Sequence, residues 1–270
     1  MRVFETQALL LPREGVHVQW GMEPENTDLT TVEVELQRSE SPAGPFVALH
    51  VFDPTTTFAW TDRTVPWRSK NMEIYYRLVG REKTTGDVVY TSCAFGFQGR
   101  LPMDALEIIR QHNILLRGVN GHKPKTGIHC TLYKRRNFGA RCPYCTDAMT
   151  LRVVISQCRM CAGTGFAEKG YYTPIAIDIS FQIHPRVLQL SNLGKSEENE
   201  TTAFMTNFPI LYPGDMIVEP NEKHWRVRNT EVTERNRTVV HQLLRLRQLD
   251  HNDVEYEVLR HLDHSQGASP

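Results

Sequence analysis

Long apolar runs are missing from this 270-residue sequence. A membrane-spanning helix needs about 20 consecutive apolar residues, and no stretch approaches that length. The first residues, MRVFETQALLLPREG, hold one short apolar run and lack the basic leader of an export signal. The sequence therefore predicts a protein without membrane association, made in a reducing cytoplasm, where paired cysteines serve more often as metal ligands than as disulfides.

The sequence also has no excess of either charge, because Lys plus Arg and Asp plus Glu both number 31. This balance gives no overall attraction to nucleic acid or to an anionic membrane. The charges are nevertheless unevenly distributed. Residues 1–100 carry 10 basic and 13 acidic side chains, residues 101–170 carry 11 and 4, and residues 171–270 carry 10 and 14. The middle segment is therefore the basic part of the chain.

Recognisable catalytic motifs are absent as well. The sequence contains no phosphate-binding loop, nucleophile elbow, His-Glu-x-x-His or dinucleotide fingerprint. Because catalytic triads assemble from distant positions, this absence excludes motif-defined classes only. The β-rich modules and the closed metal site predicted below favour a protein that is not an enzyme and has no small-molecule substrate.

Short alternating runs separated by turn residues fill residues 1–100, and they predict an all-β sandwich. Trp20 and Tyr76 are expected in its core. Cys93, in the apolar run TSCAFGF, is expected to be buried as a small hydrophobic residue. The runs are VHVQW, TVEVELQRS, FVALHVF, FAWTD, EIYYRLVGRE and DVVYTS.

These runs resemble the strands of a fibronectin type III domain. The resemblance is carried by VQW with its tryptophan, by VELQRSESPAGPF, by FAWTD with Asp62 and by IYYRLVGRE. It implies a domain used for display or docking, or a stable spacer. The position of the family's corner tyrosine holds Ile74, so the usual corner hydrogen bond lacks its donor there.

Residues 101–120 change to a helical period, and Gly118 ends the run. We predict one amphipathic helix that links two domains, with His112 at the edge of its apolar face. That face is predicted to hold Leu101, Ala105, Ile108, Leu115 and Leu116.

Four of the six cysteines lie in two Cys-x-x-Cys pairs, CPYC and CRMC, separated by twelve residues. The two-residue gap lets both thiolates of a pair approach one cation, and the spacer is long enough for a β-hairpin that joins the pairs. Leu151, Val153 and Ile155 alternate as a strand would, while Gly163 and Gly165 allow a tight backbone. We therefore predict a basic zinc-ribbon-like module at residues 121–172. Its structural zinc ligands are predicted to be Cys142, Cys145, Cys158 and Cys161.

Two alternatives to a metal site are a redox pair, whose usual βαβ surrounding we do not find, and a set of coincidentally buried thiols. His129 and Cys130 lie upstream, where either could replace a ligand, although we expect both to be bystanders. A closed site with four cysteine ligands has no open coordination position, which argues against metal-dependent catalysis.

Basic residues surround the cysteine pairs. One interpretation is a phosphate-backbone contact through Lys134, Arg135 and Arg136, with Tyr133 and Phe138 available for stacking. The other, which we favour, is that these cations offset the negative charge of a four-thiolate zinc centre. The full set is Lys123, Lys125, Lys134, Arg135, Arg136, Arg141, Arg152 and Arg159.

Residues 173–260 are predicted to form a small β-barrel. TPIAIDISFQIHP alternates strictly and predicts a long strand, and residues 191–202, SNLGKSEENETT, predict a long polar loop. GDMIVEP, KHWRVRNTEV and TVVHQLLRLRQLD then complete a meander long enough to close. Residues 261–270 are predicted to be a flexible tail.

The order YPGDMIVEPNEKHWRVRNTEVTERNRTVVHQLLRLRQL resembles the small barrel proteins at the neck of tailed bacteriophages, the head-completion and head-to-tail joining proteins. The residues that carry the resemblance are Gly214, Asp215, Trp225, Arg226 and Val227. The resemblance implies a virion structural protein made in the host cytoplasm. It would assemble as a ring next to portal, adaptor or tail components, with Lys134, Arg135 and Arg136 near packaged DNA. The alternative function is a zinc-ribbon adaptor that binds nucleic acid.

Overall fold

The computed structural model describes residues 2–11, 15–23, 29–65, 73–97, 103–118, 126–137, 141–147, 149–150, 152–167, 170–182, 200–235 and 238–256. The chain is mainly β, as predicted, with one long helix in this part of it. No helix among these residues has the length and apolar character needed to cross a membrane.

The N-terminal strands form two antiparallel sheets. One has the order β1-β2-β5, and the other has the order β4-β3-β6-β7, with β8 also paired to β6. A short 3-10 helix, Leu29–Thr31, precedes β3. The strands are β1 (Arg2–Leu11), β2 (Gly15–Glu23), β3 (Val32–Ser39), β4 (Val47–Phe52), β5 (Ala59–Asp62), β6 (Ile74–Glu82), β7 (Val88–Thr91) and β8 (Phe95–Phe97).

The two sheets share one hydrophobic core, which confirms the predicted sandwich. Alternate residues of β2 and β3 point into this core because side chains alternate between the faces of a strand. Trp20 and Tyr76 are both buried in it, as predicted. Cys93 differs from its prediction, since it lies just after β7 and is exposed.

A buried carboxylate, that of Asp62, accepts hydrogen bonds from three side chains of the sandwich. The side chain of Ile74 is buried and has no hydrogen-bond donor, but the hydroxyl of Tyr76 donates to Asp62 at 3.1 Å. Arg38 and Thr64 also donate to Asp62, at 2.7 Å and 2.6 Å. Burial alone would raise the pKa of this carboxyl, but the hydrogen bonds from Thr64 and Arg38 lower it. One carboxylate thus ties β5 to β3 and β6.

Helix α1 (Met103–Arg117) confirms the predicted helix and packs against the C-terminal half of the chain. Ala105 and Ile109 are buried against Val240. His112 is half-buried at the edge of this contact, as predicted, between the rings of Phe204 and His241. The buried stripe is rotated from the predicted one, because Leu115 is 55% exposed.

Six antiparallel strands close into a barrel with the order β10-β11-β14-β13-β12-β9. Leu132, Ile179, Leu244 and Leu246, none of them exposed, lie in its core. The predicted barrel is therefore confirmed. Its strands are β9 (Ile128–Tyr133), β10 (Ile175–Gln182), β11 (Glu200–Thr206), β12 (Met216–Val218), β13 (His224–Arg235) and β14 (Thr238–Gln248).

Strand β9 lies inside the range 121–172 that the sequence assigns to the cysteine-containing module. It pairs with β10 on one side and with β12 on the other. The segment with the cysteines is consequently an insertion between the neighbouring barrel strands β9 and β10. The hydrogen bonds between these two strands hold both of its ends. The predicted loop lies outside the described residues except for 200–202, which begin β11, and the predicted tail at 261–270 lies wholly outside them.

Candidate metal centre

The four predicted cysteine ligands meet in one cluster, with all four sulfur atoms within 4.8 Å of one another. The Sγ–Sγ distance is 3.9 Å between Cys142 and Cys158 and 3.3 Å between Cys145 and Cys161. Four thiolates bound tetrahedrally at about 2.3 Å from a zinc ion would lie about 3.8 Å apart. The cluster therefore has the spacing needed to hold a metal ion, and all four side chains are buried.

Short backbone hydrogen bonds shape the two knuckles. Thr146 N donates to Cys142 O at 3.2 Å, and Gly165 N donates to the sulfur of Cys161 at 3.4 Å. Gly163 has φ +70°, and a Cβ there would lie 2.1 Å from the carbonyl oxygen of Ser156. A side chain at this position would collide with the backbone that returns from the first pair, so the glycine is required.

The spacer between the pairs forms a short antiparallel hairpin next to the first pair, without the longer strand that its alternation predicts. Thr146 and Val153 form an antiparallel bridge, flanked by backbone hydrogen bonds from Val154 N to Cys145 O at 2.8 Å and from Asp147 N to Arg152 O at 3.0 Å. Val153 and Ile155, predicted to alternate as in a strand, are both exposed, and Leu151 lies outside the described residues. Among the described residues these side chains pack into no core, so their alternation leads to no buried face.

Burial controls the protonation of the thiols. It raises the pKa of Cys145 and of Cys161 because the thiolate loses hydration. At Cys158 burial also raises the pKa, but the backbone N–H groups of Met160 and Cys161 outweigh it and lower the pKa. A metal ion must therefore displace protons from at least part of this cluster when it binds.

The two upstream candidates lie outside the cluster. Cys130 is buried in the barrel core, where burial and the charges of Glu219 and Asp178 raise its pKa to about 12. His129 is exposed and its Nδ1 lies 3.2 Å from Asp178. Among the described residues, the group that could hold a metal contains the four predicted cysteines and neither of these two.

The basic residues before the cluster have roles in the interior. Lys134 is buried and its Nζ donates to Asp215 and to Ile210 O, both at 2.8 Å. Arg136 is buried and its Nε donates to Tyr171 O at 3.0 Å. Buried side chains cannot contact a phosphate backbone without unfolding around them. Of the three predicted DNA contacts, only the partly exposed Arg135 side chain reaches the surface. The part of the chain that the structure describes does not include Lys123, Lys125 or Phe138.

Asp215 joins the inserted segment to the barrel by accepting several hydrogen bonds. Besides Lys134, it accepts hydrogen bonds from Arg135 N at 2.9 Å and Tyr212 N at 2.8 Å. Its own carbonyl accepts from Val227 N at 2.9 Å. The sequence marks Asp215 only through its position after Gly214, and its pairing with a lysine 81 residues earlier has no local signal.

The sandwich, the inserted segment and the barrel meet at Ile210. The side-chain amide of Gln19 donates to Ile210 O at 3.3 Å and accepts from Ile210 N at 3.1 Å. Thr173 N donates to Thr56 O at 3.2 Å, and Phe58 packs against Tyr172. Buried contacts of this kind hold the three parts in a fixed relation.

No protein-family model matches this sequence, and no curated protein matches it. The resemblances to fibronectin type III domains and to neck proteins therefore depend only on the residues that carry them.

Proposed function

We propose that this protein is a virion structural protein of the head-to-tail region of a tailed bacteriophage, which assembles as a ring and docks onto neighbouring rings. The observation that carries the proposal is the closed six-stranded barrel. It places Gly214 and Asp215 next to residues 225–227, and these are the residues that resemble the neck proteins. Gly214 N donates to Val227 O, and Val227 N donates to Asp215 O, both at 2.9 Å. The two separated parts of the motif are thus direct neighbours.

Three features suit an assembly role better than catalysis. The barrel, the sandwich and the insertion are joined by buried contacts, as a load-transmitting component requires. Strands β13 and β14 continue as a long paired hairpin, and β13 is exposed over residues 231–235. A centre with four cysteine ligands leaves no coordination position for a substrate. We therefore assign no catalytic step to the protein.

The metal is proposed to be zinc in a structural role. Four sulfur ligands in a tetrahedron are typical of structural zinc sites. Among the described residues of the inserted segment between 141 and 167, the buried apolar side chains other than the cysteines are Ala162 and Phe166. Such a segment has too small a core to hold its own shape, so metal binding would supply the missing stabilisation.

Ring contacts would come from side-chain surfaces and from the edges of the sandwich. Closure of the barrel pairs each of its strands on both sides, although residues 229–235 of β13 pair only with β14 within the described part of the chain. The sandwich keeps open edges, because β4 and β7 end the larger sheet.

Native mass spectrometry together with light scattering tests the proposal. A ring gives one discrete mass that is a multiple of the 31.1 kDa chain. A monomer at every concentration, with and without virion partners, contradicts it.

The alternative, a zinc-ribbon adaptor that binds nucleic acid, is less well supported, since Lys134 and Arg136 are buried. It requires affinity for DNA or RNA that falls steeply as salt rises.

A further inference from the structure

A cleft of about 370 Å³ lies where the inserted segment, the barrel and the residues after β14 meet. Pockets that bind small ligands have volumes of about 300–1,000 Å³, so the cleft has room for a small group of a ligand. Its walls include residues 156–157 and 162–163, which flank the second cysteine pair, together with Arg135, Arg226 and residues 252–255.

Four charged side chains line the cleft, and three of them have partners within the protein. Arg226 Nη1 lies 2.8 Å from Glu255 Oε1, and Asp253 Oδ2 accepts a hydrogen bond from the backbone N–H of Asp250 at 3.0 Å. Arg135 is the exception, because its guanidinium has no acceptor among the described residues. The cleft therefore contains one cation that no described carboxylate neutralises.

The fold holds Arg135 beside the cleft. Its backbone N–H donates to Asp215 at 2.9 Å, and it forms an antiparallel bridge with Tyr171. Gly214 has φ +96°, and a Cβ there would lie 3.0 Å from Cδ and Nη1 of Arg135. The missing side chain of this glycine thus leaves the space in which the partly exposed arginine side chain packs.

The hydroxyl of Tyr171 is a second donor in the same cleft. The Tyr171 side chain lines the cleft although the residue is only 5% exposed, and its hydroxyl has no hydrogen-bond partner among the described residues. The charges of Glu255, Arg135 and Arg226 all act on this hydroxyl, so it lies among the charged groups of the cleft. Burial raises the pKa of Tyr171, which keeps the hydroxyl protonated and able to donate.

The charges of the cleft favour a carboxylate over a phosphate group. A guanidinium binds either group through parallel N–H donors. A phosphate monoester carries about −1.5 to −2 charges at pH 7 and would lie in the same cleft as Asp253 and Glu255, where like charges repel. A carboxylate carries one negative charge, which Arg135 alone balances. The exposed amides of Gln157 and Asn252 also line the cleft and can both donate and accept hydrogen bonds.

We propose that this cleft binds a single carboxylate group, with the Arg135 guanidinium and the Tyr171 hydroxyl as its donors. The inference goes beyond the proposed function and does not depend on it. A free small acid and an acidic side chain of a peptide both present this group, so the test includes one ligand of each kind.

Isothermal titration calorimetry of the full-length protein, in a phosphate-free buffer, tests the proposal. The ligands are glutarate and the capped peptide acetyl-Gly-Glu-Gly-amide, and one-to-one binding of at least one of them is expected at millimolar concentrations. Arg135→Gln should weaken this binding about tenfold or more, because it removes a charge-assisted contact. Tyr171→Phe removes only the hydroxyl and should weaken binding about threefold.

The matched control is Arg245→Gln, which removes an exposed arginine of the barrel and should leave the affinity unchanged. Metal content and melting temperature confirm that the variants fold. Tighter binding of the peptide assigns the carboxylate to a peptide, and tighter binding of glutarate assigns it to a small acid; both results support the proposal.

Three results would overturn the inference. The first is that neither carboxylate binds the wild-type protein at millimolar concentrations. The second is that binding survives Arg135→Gln unchanged. The third is that inorganic phosphate binds more tightly than glutarate and loses its affinity in Arg135→Gln. Each leaves the proposed function standing, because that function is tested by the oligomeric mass of the protein.

Discussion

Removal of the Asp215 carboxylate should destabilise the protein severely. The side chains of Lys134 and Asp215 are only 8% and 2% exposed, and the Nζ–Oδ2 distance between them is 2.8 Å. Asp215→Ala leaves the Lys134 ammonium buried without its counter-charge. It also removes the acceptor of two backbone N–H groups, Arg135 N and Tyr212 N. Breaking a buried pair from one side costs about 3–5 kcal/mol, and we expect a loss in that range.

The matched control is an exposed ion pair of the same barrel. Arg245 Nη2 lies 2.9 Å from Glu231, with the two side chains 54% and 49% exposed. Because solvent screens such a pair, Glu231→Ala should cost about 0–1 kcal/mol. Each substitution removes one carboxylate from an ion pair of nearly equal length, so the difference between the two losses reports the burial of Asp215 together with its two backbone hydrogen bonds.

Equilibrium urea unfolding at one protein concentration, followed by tryptophan fluorescence, measures both losses. A second variant, Lys134→Met, removes the cation and leaves Asp215 with its backbone donors. Lys134→Met combined with Asp215→Asn should cost less than the sum of the two single substitutions, because each alone leaves one partner unpaired. If Asp215→Ala costs no more than Glu231→Ala, the role assigned to Asp215 is wrong.

Three further predictions concern the metal centre, two histidines and one glycine. Cys158→Ser should lower metal content to near zero and make residues 144–160 more sensitive to proteolysis, while circular dichroism still reports the barrel strands. The pKa values of His112 and His241 are lowered, chiefly by burial, from 6.5. The unfolded chain therefore binds more protons, and the unfolding free energy should fall as the pH decreases from about 7 to about 5. This dependence of unfolding free energy on pH should be weaker in His241→Gln. An equal dependence in the variant would contradict the prediction. Gly15→Ala should destabilise the sandwich far more than Gly86→Ala. Both glycines have positive φ, but a Cβ at Gly15 would lie 2.1 Å from Asp62 O, whereas one at Gly86 meets nothing within 4 Å; equal melting temperatures would contradict it.

Local patterns in the sequence predict most of the strands and the cluster of four cysteines. Alternation and turn residues locate β2, β3 and β6, because each strand has one face in the core and period 2 is visible in a few residues. The spacing of the four cysteines likewise brings their sulfurs together without any information from distant residues.

Features that depend on distant partners could not be predicted in this way. The sequence pattern assigns strand β9 to the basic segment, because the residues with which it pairs in β10 and β12 lie more than 40 positions away. The sequence predicts an exposed cation at Lys134, because its partner Asp215 lies 81 residues further along the chain. Cys93 sits among apolar residues but at the end of a short strand, where neither sheet covers it.

The most direct test of the metal centre is elemental analysis of freshly purified protein. We predict one zinc ion per chain, lost together with the cysteine ligands in Cys142→Ser and Cys158→Ser variants and unaffected in Cys130→Ser, whose sulfur lies in the barrel core. Protein that is purified under reducing conditions and folded, but contains no bound metal, would contradict the claim that these four sulfurs form a structural metal centre.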